Sequence, residues 1–138
     1  MRPLGYLLIH LHQLLEFGKN AILAPVGLTR RHWQVLNAIA NSLSTHKDID
    51  EALAPFLLQD GQQATSLIDE LATRGWVRED GTLSLTATGQ EAHTDVKAKI
   101  LAFQEPAMQG INQDDLATTV RVLTRMAENL RKRQSNTT

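Results

Sequence analysis

The chain has 138 residues, 42 % of them apolar, enough for one domain with a hydrophobic core and too apolar for a disordered chain. It contains no cysteine, which excludes disulfides, thiolate metal sites and thiol redox sensing. The formal net charge is −1, so no gross basicity announces a nucleic-acid binder.

No apolar run approaches the roughly 18 residues that a membrane span needs. The greasy stretch from Leu4 to Leu15 is interrupted by His10, His12 and Gln13 and lacks a small-residue cleavage site, so it does not read as a secretory signal. The expected location is the cytoplasm, with no membrane association.

Pro3 suits the first turn of a helix. From there Leu4, Leu8, Leu11, Leu15 and Ile22 recur at helical spacing, and Leu7 and Leu14 widen the stripe. This predicts a helix of about 20 residues ending before Pro25-Val26-Gly27. A stripe this wide suits burial against several helices, some from another chain. Thr29 caps a second helix reaching about Asn41, with Trp33, Leu36 and Ile39 or Ala40 inward. Ser42 to Lys47 reads as a loop. Asp48 or Thr45 starts a third helix with Ile49, Ala52, Leu53, Phe56 and Leu57 inward, which Pro55 should kink or shorten.

Asp60-Gly61 reads as a turn and as the N-cap of a fourth helix, with Ala64, Leu67, Ile68 and Leu71 inward and Arg74-Gly75 at its end. Trp76–Glu79 and Thr82–Leu85 flank Asp80-Gly81, a strong signal for a hairpin with a two-residue loop. Thr86 caps a helix running to about Glu105, where Pro106 interrupts it. Asn112 and Asp115 open a last helix that should bury Leu116, Val120, Leu123, Ala127 and Leu130. Arg131 to Thr138 reads as a frayed polar tail; its Arg131-Lys132-Arg133 run is either solvated or a flexible phosphate contact.

Three short helices followed by a hairpin make a winged helix-turn-helix. The expected fold is mainly α with a small β-hairpin wing, one domain over residues 1–138. Residues 29–85 form the winged helix, flanked by dimerisation helices at 4–24 and 87–131 that pair with a second copy.

The chain resembles the MarR family of bacterial regulators. The likeness rests on Leu4-Gly5-Tyr6-Leu7-Leu8, Leu23-Ala24-Pro25-Val26-Gly27-Leu28-Thr29 and Trp33-Gln34-Val35-Leu36. It is densest over Leu67-Ile68-Asp69-Glu70-Leu71-Ala72-Thr73-Arg74-Gly75-Trp76-Val77 and Leu85-Thr86-Ala87-Thr88-Gly89. The resemblance implies a homodimer held by its terminal helices, with a recognition helix and a wing on duplex DNA. Two features depart from the family pattern. The wing tip Glu79-Asp80-Gly81-Thr82 is short and acidic where relatives carry a basic element, and Ser66 and Glu70 stand where arginines are common.

The candidate reading residues are Gln62, Gln63, Thr65 and Ser66. Glutamine matches the adenine edge, and hydroxyls bond bases or phosphates. The plain alternative is a solvated helix face. Arg30, Arg31, Lys47 and Arg78 are the candidate phosphate contacts. Between Thr29 and Leu85 five basic residues face eight acidic ones, a difference of three negative charges. That balance supports a second reading, a winged-helix protein-interaction module that has given up DNA.

Tyr6, His10, Gln13 and Phe17 share one helix face, and with His32 and Trp33 they form a candidate pocket for a small aromatic effector of the kind the resemblance implies. Otherwise Trp33 is core and His10 an interface histidine. The five histidines lack metal-ligand spacing, and no catalytic motif stands out. No metal, cofactor or enzymatic activity is expected.

Overall fold

The computed structural model describes residues 1–136. The chain divides into two compact units, one comprising Met1–Phe103 and the other beginning at Gln104.

In the first unit, helix α1 (Leu4–Leu23) begins directly after Pro3, whose carbonyl accepts from the Leu7 N–H at 3.2 Å. A 3-10 turn over Ala24–Val26 and Gly27, at φ +71°, redirect the chain. Thr29 then caps α2 (Arg30–Ala40), accepting from the His32 N–H, while the His32 ring accepts from the Thr29 N–H. This is a capping box with histidine in the place usually taken by glutamate. Trp33, Val35, Leu36, Ala38 and Ile39 of α2 are all buried, which makes α2 the central strut of the core.

Helix α3 (His46–Asp60) is capped by Thr45, which accepts from the Asp48 N–H at 3.1 Å. Ile49, Leu53 and Leu57 are buried, but Ala52, expected inward, is exposed. Pro55 does not shorten this helix, which continues to Asp60. Leu57, buried beyond the proline, anchors the last turn in the core, and proline removes only one helical hydrogen bond. Asp60-Gly61 closes α3 and does not cap the next helix. Gly61 sits at φ +64°, and the Gln62 N–H returns to the Leu57 carbonyl at 3.0 Å.

Helix α4 (Ala64–Thr73) therefore starts later than expected, with Gln63 at its N-cap position making no side-chain cap. Ala64, Leu67, Ile68 and Leu71 are buried as the periodicity predicts. Strands β1 (Val77–Glu79) and β2 (Leu83–Leu85) pair antiparallel, with Glu79 opposite Leu83. The loop is thus Asp80-Gly81-Thr82, three residues and not two. Gly81 at φ +80° supplies the left-handed position such loops use.

Helix α5 (Ala87–Gln104) starts at Thr86, whose hydroxyl accepts from the Gly89 N–H at 3.0 Å. Gly89 lies against the Trp76 carbonyl, where a Cβ would overlap backbone. His93, Val96 and Ile100 carry α5 into the core.

The second unit holds a 3-10 turn over Glu105–Met108 and helix α6 (Gln113–Asn136), with the Asn112 side chain accepting from the Asp115 N–H at 2.8 Å. The helix runs through Arg131-Lys132-Arg133 instead of fraying there. Its apolar residues Leu116, Val120 and Leu130, expected to be buried, are exposed in the single chain at 37, 55 and 62 %. Among the described residues no helix is long and apolar enough to cross a membrane.

Candidate nucleic-acid interface and junction cavity

Helices α3 and α4, joined by Gly61-Gln62-Gln63, form the helix-turn-helix, and the β1–β2 hairpin forms the wing. Gln62, Gln63, Thr65 and Ser66 are all exposed at the start of α4. The two glutamines belong to the turn and the N-cap position, and the two hydroxyls to the first helical turn. The N-terminus of α4 is not left open for a phosphate. The Asp50 carboxylate of α3 accepts from the Ala64 N–H at 3.3 Å and brings a negative charge there.

The Thr65 hydroxyl has a side-chain partner. It lies 3.2 Å from Nδ1 of His46, whose Nε2 lies 2.8 Å from Oε1 of Glu79 on the wing. A second histidine, His32 on α2, bonds Glu70 of α4 through Nε2. Helix α4 is thus tied by one imidazole to the hairpin and by another to α2.

The proposed phosphate contacts divide into two groups. Arg31 is buried, ion-paired with Asp60, bonded to Gln34 and stacked over Phe56, so it is a core residue and not a surface contact. The Arg31 bond holds the Asp60 carboxyl below its ordinary pKa. Arg30 pairs with Glu16 of α1, and its own pKa is lowered, first by burial and then by the Arg31 charge. Lys47 and Arg78 remain at the surface; Arg78 has only Asp80, 3.9 Å away, as a loose partner. Arg74 is also committed, donating to the carbonyls of Val26 (2.5 Å) and Gly27 (3.1 Å) while lying over Trp76.

The effector residues are not brought together as the α1 periodicity suggested. Tyr6 and His10 stack with ring centres 5.7 Å apart on the exposed part of α1, and Phe17 is 80 % exposed. Trp33 is core, stacked on His93 with ring centres 5.1 Å apart. His32 is occupied by Thr29 and Glu70. A cavity of about 160 Å³ does lie at the junction of α1 with α2 and α3, but a different face of α1 lines it. His12, Leu15, Glu16 and Lys19 meet Arg30, Trp33, Gln34 and Phe56 there. Of the predicted residues only Trp33 reaches it. The i, i+3, i+4, i+7 spacing of His12, Leu15, Glu16 and Lys19 was visible in the sequence, but nothing local said which face of α1 turns toward α2.

His93 is the buried histidine. Its Nε2 lies 2.9 Å from the side-chain amide oxygen Oδ1 of Asn37, and its pKa is lowered by burial and then by Lys97. Among the described residues no three His, Cys, Asp or Glu side chains converge as a metal site would need.

No family model matches the sequence, and no curated protein matches it. Solved structures do. A MarR family protein of Mycobacterium tuberculosis in complex with DNA aligns at 22 % identity and a TM-score of 0.71, covering 91 % of this chain and 98 % of its own. The fold is that of the MarR-family regulators. The reduced form of MarR from E. coli aligns at 22 % identity with a TM-score of 0.68, covering 91 and 94 % of the two chains. CouR from Rhodococcus jostii, bound to p-coumaroyl-CoA, aligns at 21 % identity with a TM-score of 0.72, covering 89 and 90 %. The alignments cover about nine-tenths of this chain and of each neighbour, so the likeness extends over nearly the whole fold.

Proposed function

We propose that this protein is a homodimeric MarR-type transcriptional regulator that binds duplex DNA through α4 and the wing. The observation that carries the reading is the outward edge of α4. A complete winged helix holds Gln62, Gln63, Thr65 and Ser66 exposed at the start of its reader helix, and the same fold occurs in a relative complexed with DNA. A DNA-binding regulator acts where the DNA is, in the bacterial case the cytoplasm, and needs no catalytic group.

Exposed leucines support the dimer. Leu4, Leu7, Leu8, Leu11 and Leu14 are 44 to 56 % exposed along one side of α1, more contiguous apolar surface than a monomer ordinarily leaves in water. Residues 4–24 and 87–131 supply the pairing surfaces in this reading. The junction cavity supports an effector. Aromatic walls of Trp33 and Phe56 beside the Lys19 cation, with Arg30 and Glu16 already paired at the same wall, suit a small aromatic acid, and two MarR-fold structures hold p-coumaroyl-CoA and salicylic acid.

A second reading rests on the carboxylates. Asp48, Asp69, Glu70, Glu79 and Asp80 outnumber Lys47 and Arg78 on the exposed side of the winged helix, which suits a basic protein partner better than phosphate. Titrating genomic duplex fragments by fluorescence anisotropy at about 50 mM salt, with sedimentation in parallel, separates the two. A dimer that binds a subset of fragments supports the regulator. A monomer at micromolar concentration, or a dimer that holds no duplex, overturns it. Thermal-shift screening with aromatic acids tests the effector, and no stabilisation across the panel removes that part alone.

A further inference from the structure

We infer that His46 fixes the hydrogen-bonding polarity of Thr65, so that the reader helix presents Thr65 to DNA only as an acceptor, matched to the exocyclic amino group of adenine or cytosine. This rests on the DNA-binding reading above and adds a specificity-determining group to it.

His46 is held in place from two directions. Thr45 caps α3 and fixes His46 as its first residue, and the Ser44 carbonyl accepts from the Leu83 N–H of β2 at 2.8 Å. The wing is therefore tied to the start of α3 by backbone, and Glu79, opposite Leu83 in the hairpin, is brought to the imidazole. The same imidazole reaches Thr65 on α4, so one side chain spans three elements.

The chemistry follows from counting hydrogens. An ionised carboxylate can only accept, so the 2.8 Å contact with Glu79 requires the hydrogen of the neutral ring to sit on Nε2. Nδ1 then carries a lone pair. The Thr65 oxygen, 3.2 Å from Nδ1, can satisfy that contact only by donating its single hydrogen. What Thr65 offers outward is lone pairs. A phosphate oxygen or a guanine O6 or N7 is itself an acceptor and is refused. The adenine N6 and cytosine N4 amino groups are donors and are accepted. Ser66, the adjacent hydroxyl, has no such tie among the described residues and can turn to either kind of partner. His46 touches no base in this scheme; it is a positioning residue acting through Thr65.

Two measurements test this. Long-range proton–nitrogen NMR on the DNA-free protein reads the tautomer directly. Nε2–H with a bare Nδ1 is expected for His46, and Glu79→Ala should relax it toward a mixture. A ring found with a hydrogen on Nδ1, alone or together with Nε2–H, or one unmoved by Glu79→Ala, overturns the relay whatever the protein does with DNA. Selection from a randomised duplex pool reads the consequence. Thr65→Val should erase a preference of roughly three- to tenfold for adenine or cytosine at one position, the scale of one hydrogen bond. His46→Ala should blur that position and leave the others unchanged. Uniform weakening of every sequence by Thr65→Val would make Thr65 a phosphate contact and overturn the inference alone. A wild-type protein that holds no duplex even at low salt overturns both the inference and the reading beneath it.

Discussion

The salt dependence of DNA binding should be shallow for a winged helix, and the ion pairs of this chain say how shallow. Five cations lie between Thr29 and Leu85, but Arg30 pairs with Glu16, Arg31 with Asp60, and Arg74 with two backbone carbonyls. Lys47 and Arg78 are left, two per protomer and about four in a dimer. Each neutralised phosphate contributes about −0.9 to the slope of log affinity against log salt, so the expected slope is about −3.6. Raising salt from about 50 to about 200 mM should then weaken binding about 150-fold. Were all five cations per protomer engaged, the slope would be about −9 and the loss more than about 10⁵-fold. Anisotropy titrations at four or five salt concentrations separate these outcomes easily. Lys47→Ala should halve the slope, to about −1.8, because it removes one contact from each protomer. A wild-type slope near −9 would mean that Arg30, Arg31 and Arg74 abandon their partners on DNA, and the division into structural and available cations would be wrong.

Four further outcomes follow from the packing around the core. Arg31→Met should lower the melting temperature yet leave the DNA salt slope unchanged, because the guanidinium is buried against Phe56 and Asp60; a change in slope at full stability would restore Arg31 as a phosphate contact. The same pair sets an acid limit. Asp60 is held below its ordinary value of 3.8, so its contribution is complete above that pH and is lost as pH falls through the lowered value, a loss that Arg31→Met should abolish in pH-dependent urea melts. His93 is depressed below its ordinary 6.5 by burial and Lys97, so the unfolded chain takes up its proton first; stability should be full above about pH 6.5 and fall as the pH drops through the lowered value, and His93→Gln should flatten that stretch of the melting-temperature profile. Gly89→Ala should cost about 3 kcal/mol in urea denaturation, since its methyl would meet the Trp76 carbonyl, which already accepts from the Thr86 N–H at 3.0 Å.

What the sequence showed and what it hid divide along the range of the forces involved. Helix faces such as Leu67-Ile68-Leu71 and caps such as Thr29, Thr86 and Asn112 were legible because a cap and its target lie within four residues. Asp60-Gly61 was misread because aspartate–glycine serves equally to end one helix or to begin the next, and the helix outlasts Pro55 because tertiary burial of Leu57 outweighs the local cost of proline. The exposed edge from Gln62 to Ser66 was found by periodicity. The contacts that condition it were not. Asp50 reaches Ala64 across 14 positions and His46 reaches Glu79 across 33, separations at which residue type alone says nothing about proximity. The junction cavity was placed on the wrong side of α1 for a related reason. That helix carries apolar residues around much of its circumference, so spacing could not choose the side that meets Trp33.

Arg74 gives these parts a mechanical connection. One guanidinium grips the carbonyls that follow α1, sits at the end of α4 and rests on the indole at the root of the hairpin. It is a tie-rod with three attachments. In the proposed regulator, a ligand seated between α1 and α2 would have this one side chain as its direct route to the end of α4 and the root of the hairpin.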